Sequence, residues 1–107
     1  MKLISAIINY DDASQVVMSL SKNGFSSTRL STTGGFLLAG NVTLLIGVEA
    51  EKVQEVVDII REHSHSRTQL RPAVTEMSHG FMPVMPVEVC VGGATLFVLD
   101  VERFEHL

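Results

Sequence analysis

The sequence lacks the features of a nucleic-acid binder, a disulfide-bonded secreted protein or a membrane protein. Its eight lysines and arginines are scattered over 107 residues of net charge −4, so no basic nucleic-acid-binding face is predicted. The one cysteine, Cys90, cannot form an internal disulfide, which is typical of proteins in a reducing compartment. No apolar run approaches the length of a membrane span. We therefore expect a cytoplasmic protein with no nucleic-acid partner and no membrane partner.

Motifs of common enzyme classes are also missing. The chain has no Gly-x-Ser-x-Gly, Cys-x-x-Cys or His-Glu-x-x-His motif, and its glycine-rich segment lacks the Gly-Lys-Ser/Thr ending of a phosphate loop. Asp11 and Asp12 are adjacent, but a helix N-cap explains this pair more simply than catalysis does. We expect no enzymatic activity and no cofactor.

Hydrophobic periodicity predicts alternating strands and helices. Strands are predicted at residues 3–8, 25–31, 42–48, 87–91 and 96–101, with helices after the first and third. The first helix is predicted to end at Gly24, which suits the left-handed C′ position. The last two strands flank Gly92-Gly93-Ala94, a turn suited to a hairpin. This order predicts one α+β domain, a βαββαβ sandwich with two helices on one face of an antiparallel sheet.

Residues 63–83 show no regular period, and we expect a long, mobile loop at about 64–85. His63, His65 and His79 lie in or beside this stretch and offer imidazoles that can hold zinc or copper. The chain provides neither cysteine support nor a helical i, i+4 histidine pair. A solvated loop without a metal is the simpler interpretation.

The most unusual segment is residues 32–41, TTGGFLLAGN, between two predicted strands. Its glycines let a ligand or another backbone approach closely. Phe36 can stack on a base, and the amide of Asn41 suits an adenine edge. Exposed backbone amides bind phosphates without side-chain charge, and Gly47 inside a strand suggests a further close approach. The residues alone leave two interpretations open, a nucleotide-binding loop and a glycine-rich turn with Phe36 in the core.

Several segments together resemble the cyclic-di-AMP receptors, a branch of the PII-like signalling proteins. They are MKLI (1–4), KN (22–23), TTGGFL (32–37), AGN (39–41), IGVE (46–49), PVEV (86–89), VGGAT (91–95), FVL (97–99) and VERFE (101–105). The matches run in order along nearly the whole chain, and residues 64–85 match poorly.

The resemblance implies a single PII-like domain over residues 1–107, with a ferredoxin-like βαββαβ fold and an added C-terminal hairpin. It implies a homotrimer that binds cyclic di-AMP in clefts between subunits and signals, without catalysis, to an unidentified downstream protein through loop rearrangement. Carried over by position, the ligand-binding residues are Thr28, Gly35, Phe36, Leu37, Asn41, Gly47, Gly92, Gly93 and Ala94. Some of these would contribute across the subunit boundary.

One position departs from the family's pattern. Members commonly carry an arginine where this chain has Ser26, and that arginine is expected to contact the ligand. A charge-assisted hydrogen bond contributes roughly 1.5–3 kcal/mol, so we expect affinity to be lower by about one to two orders of magnitude. Arg29 is predicted on the opposite strand face because its offset from Ser26 is odd. Arg67 or Arg71 from the long loop can compensate.

Two other functions stay open. One is a PII-like trimer that has lost nucleotide binding and acts by protein contacts. The other is a metal-responsive trimer that uses the loop histidines. The nucleotide sensor requires Phe36 and Asn41 at an intersubunit cleft, the protein-contact trimer requires Phe36 buried or that cleft filled, and the metal sensor requires at least three ligands within about 2.0–2.1 Å of one ion.

Overall fold

The computed structural model describes residues 1–30, 40–65, 67–72 and 86–107, and these form six strands and two α-helices. In chain order the elements are β1 (Lys2–Asn9), α1 (Tyr10–Lys22), β2 (Thr28–Leu30), β3 (Asn41–Val48), α2 (Val53–Ser64), β4 (Arg67–Pro72), β5 (Pro86–Val91) and β6 (Ala94–Asp100). A 3-10 turn, Ala50–Lys52, leads from β3 into α2. Within this part of the chain, the predicted order of the first three strands and two helices is confirmed.

Four strands form one antiparallel sheet in the order β2-β3-β1-β6. β1 runs along its middle, with Lys2 opposite Val48 of β3 and opposite Asp100 of β6. Both helices pack against this sheet and each other. This arrangement is the ferredoxin-like α+β fold, so the predicted fold class is confirmed.

Alternation along the strands separates a core face from an open face. Apart from Lys2 at the start of β1, the even-numbered residues of β1 and β3 are buried beneath the helices, namely Ile4, Ala6, Ile8, Val42, Leu44, Ile46 and Val48. The helices add Ala13, Val16, Leu20, Val56, Ile59 and Ile60 to the same core. Side chains alternate between the faces of a strand, so the odd-numbered residues of both strands belong to the open face, which carries no helix of the described chain.

β4 and β5 form a separate two-stranded antiparallel sheet, inserted between α2 and β6. The structure therefore differs from the loop expected at about 64–85, because Arg67–Pro72 form a strand. The sequence RTQLRP has no apolar alternation, and pairing with β5 makes it a strand. Residues 73–85 lie outside the described residues, so the mobility of that part stays a prediction.

The glycine turn at Gly92 and Gly93 connects two sheets and does not close a hairpin. β5 pairs with β4, whereas β6 pairs with β1, so the predicted pairing of β5 with β6 is wrong. The hairpin added to the ferredoxin-like core is formed by β4 and β5. Both glycines have positive φ, +82° and +78°, a region that glycine enters without steric penalty. The predicted glycine turn is therefore present. The strands that it connects belong to different sheets because β5 pairs with β4 and β6 pairs with β1.

Asn9 caps the start of α1. Its side-chain oxygen accepts a hydrogen bond of 2.9 Å from the backbone N–H of Asp11. The N-cap predicted at Asp11 or Asp12 is therefore wrong, and both aspartates lie in the first turn of the helix. Their negative charges still favour that end of the helix dipole.

Candidate functional site

The residues predicted to bind a ligand fall into three sets. Gly35, Phe36 and Leu37 lie outside the described residues. Thr28 and Gly47 lie towards one end of the four-stranded sheet. The remaining residues, Asn41, Gly92, Gly93 and Ala94, lie at or beside the other end. The two described sets are considered in turn.

Thr28 and Gly47 are diagonal neighbours on the open face. Thr28 pairs with Leu45, two residues before Gly47 on the same strand. Gly47 is exposed, and a Cβ added there would meet no atom of the described residues within 4 Å. Glycine weakens a strand interior, and no neighbour within the described residues requires a glycine here. The bare backbone at Gly47 is therefore suited to close approach by a ligand or a second subunit.

A cavity of about 310 Å³ borders Gly47. Its lining comes from the turn after α1, the end of β3, the following 3-10 turn and the first residue, as Gly24, Phe25, Ser26, Gly47, Val48, Glu49, Lys52 and Met1. A second cavity, of about 360 Å³, is lined by Val17, Ser21, Gly24, Phe25, Ser26 and Ser27. The two cavities share Gly24, Phe25 and Ser26, so this short turn separates them.

The turn after α1 is held by a Schellman motif. Gly24 has φ of +83°, and its N–H donates to the carbonyl of Ser21 at 3.0 Å. The N–H of Phe25 donates to the carbonyl of Leu20 at 2.9 Å, and Phe25 packs against the core. These two bonds and the apolar contact define the motif. The predicted left-handed C′ role of Gly24 is confirmed, and the motif fixes the cavity wall that carries Ser26.

Arg29 lies on the opposite side of β2 from Thr28. Arg29 pairs with the buried Leu44, so it belongs to the helix-covered face. Its guanidinium carbon lies 5.3 Å from the centroid of the Tyr10 ring, in cation–π range. Because Ser26 precedes β2, the predicted placement of Arg29 on the opposite strand face from Ser26 stays a prediction. Compensation by Arg67 or Arg71, which belong to β4, stays a prediction.

Asn41 and Ala94 lie on either side of β1 at the other end of the sheet. Asn41 is opposite Asn9, and Ala94 is opposite Ile8. Two strand spacings separate them, or about 10 Å. Just before Asn41, the carbonyl of Gly40 accepts a hydrogen bond of 2.6 Å from the backbone N–H of Tyr10. This bond ties the start of β3 to the start of α1.

The glycine turn borders a smaller cavity at the end of α2. Its volume is about 190 Å³, and its lining is Val57, Ile60, Arg61, Ser64, His65, Gly93, Ala94 and Leu96. Asn41 is exposed at the start of β3 and does not line this cavity. The residues of this second set therefore share one end of the sheet without surrounding a single pocket.

The single chain does not bring the described site residues together in one place. Asn41 and Gly47 are six residues apart on β3, which is about 20 Å at a rise of ~3.3 Å per residue. Both have odd numbers and so lie on the open face. The chain presents two groups of predicted ligand-binding residues, one towards each end of the sheet. Ala94 pairs with the buried Ile8 and therefore belongs to the helix-covered face.

Sequence reasoning missed two charged residues of the Gly47 cavity, Glu49 and Lys52. Lys52 is the last residue of the 3-10 turn that leads into α2, and it lines the cavity. No local pattern distinguishes this lysine from other exposed ones.

The loop histidines do not form a metal centre within the described residues. His63 belongs to the last turn of α2 and His65 follows it, whereas His79 lies outside the described part. Residues 1–30, 40–65, 67–72 and 86–107 contain no group of three His, Cys, Asp or Glu side chains placed to hold a metal. Neither α1 nor α2, the described α-helices, has the length and apolar character to cross a membrane.

The four-stranded antiparallel sheet and the two helices are compatible with a ferredoxin-like, PII-like fold. Residues 1–107 match the family model described as cyclic-di-AMP receptor. The match spans the whole chain, so the protein belongs to the cyclic-di-AMP receptor family, as the sequence resemblance indicated. The structure is also similar to that of a functionally unknown protein from Pediococcus pentosaceus ATCC 25745, at 40% identity and a TM-score of 0.74. That match covers 99% of this chain and 96% of the other.

Proposed function

We propose that this protein is a non-enzymatic signalling receptor that binds cyclic di-AMP in clefts between the subunits of a homotrimer. Membership of the cyclic-di-AMP receptor family supports the ligand and the signalling role. Ligand binding is relayed through loop rearrangement, which changes the surface offered to a downstream protein. We place this function in the cytoplasm, in keeping with the single cysteine of the chain.

The observation that carries the intersubunit site is the separation of the two residue groups. Gly47 lies about 20 Å from Asn41 along β3, and Thr28 lies diagonally beside Gly47, so each end of the sheet supplies only part of the predicted set. In a closed ring of identical subunits, one end of each subunit meets the opposite end of its neighbour. The Gly47 group of one subunit and the Gly93 group of the next then line the same cleft.

The open sheet face supports association of the subunits. Leu30, Phe97 and Leu99 are 38%, 52% and 50% exposed there, and Leu3, Ile7 and Leu45 of the same face are half-buried. Register places these residues together, because Leu99 pairs with Leu3 and Phe97 with Ser5. Large exposed apolar patches mark protein interaction sites. When identical subunits cover this face, one end of the sheet in each subunit lies next to the opposite end of the sheet in its neighbour, and the two ends form the cleft.

Calorimetric titration with cyclic di-AMP tests the ligand, and light scattering after size exclusion tests the trimer. We expect one ligand per subunit, a mass of three subunits and a rise in melting temperature. Ligand at one hundred times its Kd stabilises the folded state by about 2.7 kcal/mol. Asn41→Ala is expected to reduce that stabilisation, and cyclic di-GMP serves as a control for the base. The absence of both heat and thermal shift at high micromolar cyclic di-AMP would refute the proposal.

One observation favours a second candidate, the PII-like trimer that has lost nucleotide binding. Ser26 lines the Gly47 cavity where family members carry arginine, and Arg29 lies instead over Tyr10. Ser26→Arg separates the two functions. In a receptor of reduced affinity, this substitution is expected to lower the Kd by about ten-fold or more. A trimer whose wild type does not bind, and which does not gain binding in Ser26→Arg, supports the second candidate.

A further inference from the structure

One residue that lines the Gly47 cavity is a lysine whose ion pair with Glu55 is weak enough to be exchanged for a ligand. Lys52 lies on the 3-10 turn after β3 and lines the same cavity as Ser26 and Gly47. Its Nζ is 3.6 Å from Oε2 of Glu55, with the two side chains 57% and 46% exposed. An exposed ion pair of this kind is weak and is screened by salt. The flexible four-carbon stem of lysine can therefore carry the ammonium group from Glu55 to a ligand.

We propose that Lys52 binds a phosphate group of the nucleotide in the Gly47 cavity. The hydroxyl group of Ser26 and the bare strand backbone at Gly47 form the other walls of this phosphate subsite. The identity of the nucleotide rests on the proposed function. The subsite itself requires only a phosphate ligand. Lys52 thus supplies positive charge in the cavity where Ser26 offers a neutral hydroxyl group.

The cavity is large enough for such a group and has a defined electrostatic balance. Its volume of about 310 Å³ exceeds the share of liquid volume of one water, about 30 Å³, roughly ten-fold. Glu49 also lines the cavity, with Oε2 at 3.9 Å from the amino nitrogen of Met1. Its carboxylate repels a phosphate, whereas the ammonium of Lys52 attracts it. Neutralising each side chain is therefore expected to change affinity in opposite directions.

Lys52→Gln tests the lysine because it removes the charge and keeps much of the side chain. Calorimetry with cyclic di-AMP is expected to show a Kd raised about ten-fold, the loss of one charge-assisted contact. The dependence of Kd on salt concentration should also become shallower, an effect that a purely structural role does not produce. Glu49→Gln should lower the Kd, and Lys52→Arg should preserve binding. Lys22→Gln is the matched control, since Lys22 is in the last turn of α1 and lines neither cavity.

A second titration separates this inference from the proposed function. Inorganic pyrophosphate is added to isotopically labelled protein while the backbone amide of Gly47 is followed by NMR. If wild type binds cyclic di-AMP but Lys52→Gln has the same Kd and salt dependence, the lysine assignment is wrong and the function stands. If cyclic di-AMP does not bind but pyrophosphate shifts Gly47 in wild type and not in Lys52→Gln, the subsite stands and the function fails. If neither ligand shifts Gly47 in wild type, the subsite is refuted. The function is refuted as well if cyclic di-AMP also gives neither heat nor a thermal shift.

Discussion

Gly47→Ala is the substitution whose effects on stability and on binding are expected to have opposite signs. Gly47 lies inside β3 on the open face, and a Cβ there would meet no atom of the described residues within 4 Å. Gly47 does not belong to the described glycines that have a positive φ. Alanine therefore fits the subunit without a clash or backbone strain. Any loss of function must come from something that approaches Gly47 from outside.

The expected magnitudes follow from this geometry. Glycine in a strand interior is less stable than alanine by about 0.5–1 kcal/mol. For a domain of this size, about 4–8 °C of melting temperature accompanies each kcal/mol, so Gly47→Ala should raise it by about 2–8 °C. A methyl group forced into a close ligand contact costs about 1–3 kcal/mol. That cost corresponds to a Kd raised about 5- to 140-fold.

Thermal unfolding without ligand, calorimetry with cyclic di-AMP and molar mass by light scattering together check this prediction. Mass is the necessary control, because a neighbouring subunit can also require the glycine. A stabilised variant of unchanged mass and raised Kd supports ligand approach at Gly47. A variant with wild-type Kd and unchanged mass shows that the ligand does not contact this strand, and the placement of Gly47 in the site is then wrong.

Three further predictions concern the motif after α1, the open face and an exposed ion pair. Gly24→Ala places a side chain at φ of +83° and should destabilise the fold by about 1 kcal/mol, which lowers the melting temperature by about 4–8 °C. An unchanged melting temperature contradicts the Schellman assignment. Phe97→Glu should reduce the molar mass towards that of one subunit, whereas Met18→Glu, equally exposed on α1, should not; an intact trimer in Phe97→Glu excludes this face from the interface. The hydrogen bond and charge of Lys2 lower the pKa of Asp100. This stabilisation is present above the unfolded pKa and is lost as pH falls through the lowered folded value. An NMR titration should show the pKa rising in Lys2→Met, and no change contradicts the pairing.

The order of the elements and the family were predictable from local sequence signals. Hydrophobic periodicity predicted strands at residues 3–8 and 42–48, where the structure has Lys2–Asn9 and Asn41–Val48. Gly24 predicted the end of α1, because glycine suits the left-handed C′ position. Ordered motifs along the chain indicated the cyclic-di-AMP receptors. All these signals are local, since they depend on spacing and on single-residue conformational limits.

Only the tertiary structure decided which distant segments meet. Arg67–Pro72 became a strand through pairing with β5, a partner that no pattern within RTQLRP specifies. The same pairing turned the glycines at 92–93 from a hairpin turn into a connection between sheets. The register of β3 separated Asn41 from Gly47 along the open face, and the fold brought Lys52 beside Ser26. Local spacing cannot encode these relations, because each depends on contacts between residues far apart in the chain.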